Sequence, residues 1–123
     1  MSEQLKVALV QTSLAWENPE LNRATLLEKI DLITATVDLI ILPEMFTSGF
    51  TMHPEKLGKD EGQKTIRWMQ KIASEKKAAI TGSIAFYENS TFYNRLFFIE
   101  ETGKISFYDK RHTFTLAGES DVY

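Results

Sequence analysis

Apolar residues along this chain fall into five short runs and two helical stripes, and their order predicts the architecture. Residues 37–42 (VDLIIL) form a nearly unbroken run of large aliphatic side chains, the pattern of a strand covered on both faces. Pro43 stops that run, because proline has no N–H for the ladder and biases Leu42 toward extended geometry. Upstream, residues 5–11 (LKVALVQ) predict a first strand. Asn18-Pro19 predicts a helix start, with Asn as N-cap and Pro at the first helical position, and Leu26, Ile30 and Ile33 give that helix one buried stripe. After a charged loop at residues 56–62, Asp60 and Gln63 have the spacing of a capping box. Ile66, Met69, Ile72 and Ala73 then mark a second amphipathic helix, with Lys76 and Lys77 near its negative end.

Residues 78–87 (AAITGSIAFY) are a third strand, so the order β-α-β-α-β predicts parallel pairing by right-handed crossovers. Beyond it the spacing shortens. Glu88-Asn89-Ser90 and Thr102-Gly103 read as turns around strands at residues 91–99 and 104–108, which predicts antiparallel hairpins and a mixed sheet. The last fifteen residues show no convincing element, yet carry Phe114, Leu116, Val122 and Tyr123. Apolar residues without anything to pack on lead us to expect part of a longer domain.

Composition narrows the function. The 123 residues have a net charge of −3, with neither a basic footprint for nucleic acid nor a polybasic membrane patch. No apolar run approaches membrane-spanning length and no signal-peptide pattern opens the chain, so a cytoplasmic location is expected. There is no cysteine, which leaves out disulfides and thiolate metal sites within these residues.

Candidate chemistry begins directly after Pro43. Glu44 follows a strand end, where ligands gather in open α/β sheets, and Met45, Phe46 and Phe50 are expected to surround it with apolar bulk. A carboxylate so placed needs a partner or a raised pKa, which suits a general base. Lys110, in YDKRHTF, follows another predicted strand; if both strand ends share a rim, a Glu–Lys pair results. Taken alone, each residue reads more readily as a solvated loop position than as a reacting group. Phe46, Phe50 and His112 are candidates for substrate contact, although aromatic residues after a buried strand are more often core and His112 also suits a structural neighbour of Lys110. A metal site of His53, Glu44 and His112 has no ligand spacing behind it, and no metal or other cofactor is expected. Tyr93-Asn94-Arg95 reads as ordinary sheet packing, and Thr47-Ser48-Gly49 lacks the glycine pattern of a phosphate loop.

The segments ILPEMFTSGF, YNRLFFIEETGKISFYDKRHTF and AGE, in that order and spacing, resemble the nitrilase, or carbon–nitrogen hydrolase, superfamily, and in detail its ω-amidase-like bacterial branch. The resemblance covers the whole chain, residues 1–123, as the N-terminal portion of a single such domain. It implies an αββα sandwich of which this chain is an incomplete half, and a Glu-Lys-Cys site that hydrolyses a small terminal amide. By position it makes Glu44 the general base, Lys110 the oxyanion-stabilising lysine and Glu119 the second glutamate. The family's cysteine would lie beyond this chain, so the chain alone is expected to be inactive. Homo-oligomers are also implied. Two other readings stand beside it: a carbamoyl-amino-acid hydrolase or glutaminase-type member, and a non-catalytic assembly module that uses the fold without its nucleophile.

Overall fold

The computed structural model describes residues 4–111 and 119–123. Asn18 caps α1 (Pro19–Asp31) as expected, its Oδ1 accepting from the Leu21 N–H at 3.2 Å. Leu26 and Ile30 are fully buried on that helix, while Ile33 lies just past its end, packed against the same core. The expected capping box of α2 (Glu61–Lys76) does not form. Asp60 has φ −99° and ψ 0°, close to helical, whereas a capping side chain needs an extended backbone to reach back to the first turn. Glu61 instead pairs with Arg23 of α1 at 2.9 Å.

The strands are β1 (Val7–Leu9), β2 (Leu39–Ile41), β3 (Ala79–Glu88), β4 (Thr91–Ile99) and β5 (Ile105–Asp109), and a four-residue helix, α3 (Glu119–Val122), falls where no element is expected. They form one sheet in sequence order, with β1–β2 and β2–β3 parallel and the remaining two pairs antiparallel. The hairpin β3–β4 pairs nine consecutive positions and turns through Asn89 and Ser90, both at positive φ (50° and 65°). Two reversals return β5 to the direction of β2. The carboxyl ends of β2 and β5 therefore share one rim.

Residues paired across strands face the same way. One face presents Ile40, Ile80, Ile84, Phe97 and Ile99, all buried beneath the helices with Leu26, Met69 and Ile72. The opposite face presents Val7, Leu9, Leu96, Phe98 and Tyr108, each between 40% and 63% exposed. The expectation that β2 is covered on both faces thus holds for one: Ile40 is buried, while Leu39 and Ile41 are only partly so. Among the described residues no helix is long and apolar enough to cross a membrane.

Candidate active site

Strands lie roughly 4.8 Å apart, so three steps separate β2 from β5 by about 14 Å. The loop after Pro43 narrows that gap by crossing β3. The Met45 N–H donates to Ser83 Oγ at 3.0 Å and the Phe46 N–H to the Ser83 carbonyl at 3.2 Å. Met45 takes φ +52°, an unusual conformation for a side chain with a Cβ, and is completely buried. The buried Asn22 of α1 holds the far side of the loop, donating to the carbonyls of Thr47 and Ala15 (2.8 Å each) and accepting from the Ala15 N–H at 2.7 Å. Glu44 is thereby fixed at the rim with its side chain 49% exposed. Met45 and Phe46 are both fully buried, and Phe46 joins the core beneath the sheet rather than enclosing the carboxylate.

Lys110 is set by strand register. Its N–H donates to the Asn94 carbonyl at 2.9 Å, extending the β4–β5 ladder. One residue away, Arg95 grips Asp109 through two bonds (Nε to Oδ1 2.6 Å, Nη2 to Oδ2 3.1 Å) and pairs with Glu88 at 2.7 Å. Its guanidinium also lies 4.1 Å from the Phe107 ring centre. The hydrogen bonds that Arg95 donates to Asp109, aided by Glu88 and both charges, outweigh burial and raise the pKa of Arg95.

Four side chains then close a ring. Lys110 Nζ lies 3.1 Å from Glu44 Oε2 and 3.1 Å from Glu119 Oε1. Asn94 Nδ2 lies 3.0 Å from Glu44 Oε2 and 3.1 Å from Glu119 Oε2. Glu119, at the start of α3, has no exposed surface. Burial lowers the proton affinity of the Lys110 ammonium, but its bonds to Glu44 and Glu119 and their charges more than offset this, so its pKa is raised. Glu44, Lys110 and Glu119 are thus brought together from three separate segments.

The other sequence candidates divide. Phe50 stands beside the ring, with Lys110 Nζ 5.1 Å from its ring centre. Phe46 is core: fully buried, against Gly82 on one side and 5.8 Å from the Trp68 ring. His112 lies outside the described residues. His53 is exposed and faces Glu55 at 3.3 Å. Asn94 and Arg95, read from sequence as ordinary sheet residues, bridge the two glutamates and brace the residue before Lys110, respectively. The sequence signal for Asn94 was its place in a strand interior, where a buried amide must find partners.

A cavity of about 300 Å³ opens on the exposed sheet face beside Glu44, Asn94 and Lys110, walled by apolar Ile41, Leu42, Leu96 and Tyr108. Its dimensions suit a small molecule. A half-exposed carboxylate can take up and return a proton there, and an ammonium beside it can stabilise charge developing on oxygen.

A mixed sheet with helices packed on one face thus carries a Glu–Lys–Glu ring at one rim. Residues 6–123 match the carbon-nitrogen hydrolase family, and the chain belongs to it. It is 38% identical over 117 residues to omega-amidase YafV of Escherichia coli, covering 94% of this chain and 44% of that protein. It is 32% identical over 85 residues to the 2-oxoglutaramate amidase of Bacillus subtilis, covering 67% of this chain and 33% of that protein. A CN-hydrolase superfamily protein from Xanthomonas campestris has the same fold (TM-score 0.90, 35% identity), covering 97% of this chain and 45% of the other. The chain therefore groups with the ω-amidase-like branch of the nitrilase superfamily, and it spans less than half the length of the curated relatives it matches.

Proposed function

We propose that these 123 residues are the N-terminal portion of a single carbon–nitrogen hydrolase domain whose full-length parent hydrolyses a small terminal amide, the ω-amide of a 2-oxo acid, and releases ammonia. The observation that supports this reading best is the Glu44–Lys110–Glu119 ring beside a small cavity. The nucleophile is a cysteine outside this chain. Glu44 takes the thiol proton as sulfur attacks the amide carbon, and returns it to the leaving nitrogen as the tetrahedral intermediate collapses to a thioester. It then deprotonates the water that hydrolyses the thioester to a carboxylate.

Charge in the ring favours this sequence. At rest one ammonium serves two carboxylates. When Glu44 accepts a proton, Lys110 loses one competing anion in the same step that creates the oxyanion, so its charge becomes available when needed. Phe50 contributes a wall near the ammonium and Glu119 keeps the lysine aimed; the parent assembles as a homo-oligomer. The test is ammonia release by the purified parent from ω-amides of 2-oxo acids and from carbamoyl amino acids. Turnover of the former is expected, falling about 10²- to 10⁴-fold in Glu44→Gln. Turnover of carbamoyl amino acids alone would reassign the substrate, and unchanged activity in Glu44→Gln would remove the base.

A further inference from the structure

Asn94 occupies the one position in the ring that carries no charge, and both hydrogens of its Nδ2 are used, one on each glutamate. We propose that Asn94 is a positioning residue that holds Glu44 and Glu119 on either side of Lys110 and leaves Oε1 of Glu44 as the oxygen that exchanges the proton. This rests on the hydrolase reading above and assigns the division of labour within that site.

The two glutamates are held differently. On Glu119 the two donors take different oxygens, Lys110 on Oε1 and Asn94 on Oε2, and the side chain is sealed from solvent. On Glu44 both donors converge on Oε2 (3.1 Å and 3.0 Å), and among the described residues nothing donates to Oε1. A carboxylate gripped at both oxygens is a fixed counter-charge. One gripped at a single oxygen keeps the other for a proton without rotating.

Only an amide side chain suits the bridge. Carboxylates accept and do not donate, so the atom between them must be the nitrogen, which supplies two diverging N–H groups. A hydroxyl has one hydrogen and would serve one glutamate. A lysine or arginine would add positive charge and weaken Glu44 as a base. The main chain of the same residue accepts from the Lys110 N–H at 2.9 Å, so a single strand position locates all three charged partners.

The test uses the full-length parent with Asn94→Ala and Asn94→Asp, each followed by kcat, KM, pH profile and thermal unfolding. Removing a donor to the ionised form disfavours it, so the acidic limb of kcat/KM should move to higher pH by about one unit in Asn94→Ala. It should move further in Asn94→Asp, which places a third negative charge against Glu44. Misplacement should also lower kcat about 10- to 100-fold with KM within roughly threefold. The limb's position does not depend on how much of the sample is folded, so lowered stability alone cannot mimic the shift. An unmoved limb with kcat within about twofold in both variants, or failure of both to fold, would overturn the positioning role. Absence of amidase activity in the parent, or normal turnover in Lys110→Met, would defeat the hydrolase reading itself and take this inference with it.

Discussion

A carboxylate with no exposed surface needs neighbours that answer it, and for Glu119 those neighbours include Lys110 and Asn94. Lys110 is therefore the residue whose removal should be felt most. In the parent, Lys110→Met should lower turnover about a hundred- to a thousandfold, the equivalent of roughly 3–4 kcal/mol in the transition state. Lys110→Arg should also be poor, because a planar fork cannot replace a compact ammonium between two carboxylates. Near-normal kinetics in Lys110→Met would remove it from the mechanism. Titration gives a separate check. The folded pKa of Lys110 is raised, so its contribution to stability is complete below the unfolded value of about 10.4 and is lost as pH climbs through the folded one. The Tm difference between parent and Lys110→Met should hold through neutrality and shrink above about pH 10. A difference that stays constant to strong alkali would count against the pairing. The pairing of Glu44 with Lys110 was legible in the sequence because each lies just past a strand end on the same rim. Asn94 was not, since alternation along β4 says which face a residue takes but not what a distant loop brings to it. Phe46 was misplaced because the direction of the chain after Pro43 depends on the positive φ of Met45, which a methionine does not announce.

Elements hold the site through two braces, and each can be loosened alone. A Cβ at Gly82 would lie 2.8 Å from the Phe46 ring and 3.0 Å from Leu42 Cβ, inside the span between sheet and loop. Phe46 is already fully buried, so Gly82→Ala should force the loop outward and destabilise by about 1–3 kcal/mol. Urea unfolding measures it; a variant as stable as the parent would show that the loop yields freely. The second brace is Arg95, whose side chain is 5% exposed. Arg95→Met leaves Asp109 and Glu88 without their cation, but both keep a third or more of their surface in water, so it should destabilise by roughly 1.5–3 kcal/mol, the scale for hydrogen bonds to a charged group. If unfolding shows less than about 1 kcal/mol, solvent reaches the pair and the brace is weak. At this scale the sequence was read well where periodicity decides: both helix stripes, the hairpins and the mixed sheet. It misled at Asp60, where spacing suggested a cap but backbone geometry prevents one, and at the chain's end, where four residues are too few to show a period.

Over the whole molecule the unequal faces of the sheet matter most. Val7, Leu9, Leu96, Phe98 and Tyr108 form an apolar surface opposite the helices, on the side where the cavity opens. The continuous apolar run of β2 suits a strand enclosed on both sides, and in the proposed parent a second layer would enclose it. The 123-residue chain alone is accordingly expected to bind ANS, to sediment above the mass of one chain as concentration rises, and to hydrolyse no amide. A clean monomer without dye binding would argue against an uncovered face, and turnover above a buffer control would mean that the nucleophile lies within these residues.

The β3–β4 hairpin also sets a timetable. Its pairs begin three residues apart, at Glu88 and Thr91, whereas Glu44 and Lys110 meet across 66 residues. Local pairs close in microseconds and distant ones await them, so the hairpin is expected to be structured at the folding barrier while the charged ring forms late. Ser90, at φ +65°, is the point of resistance in that turn, because a side chain there disfavours the left-handed conformation by about 1 kcal/mol. Ser90→Gly should therefore accelerate refolding of the parent by roughly fivefold while leaving its unfolding rate almost unchanged. If the substitution slows unfolding instead, the turn closes after the barrier, and folding starts elsewhere in the sheet.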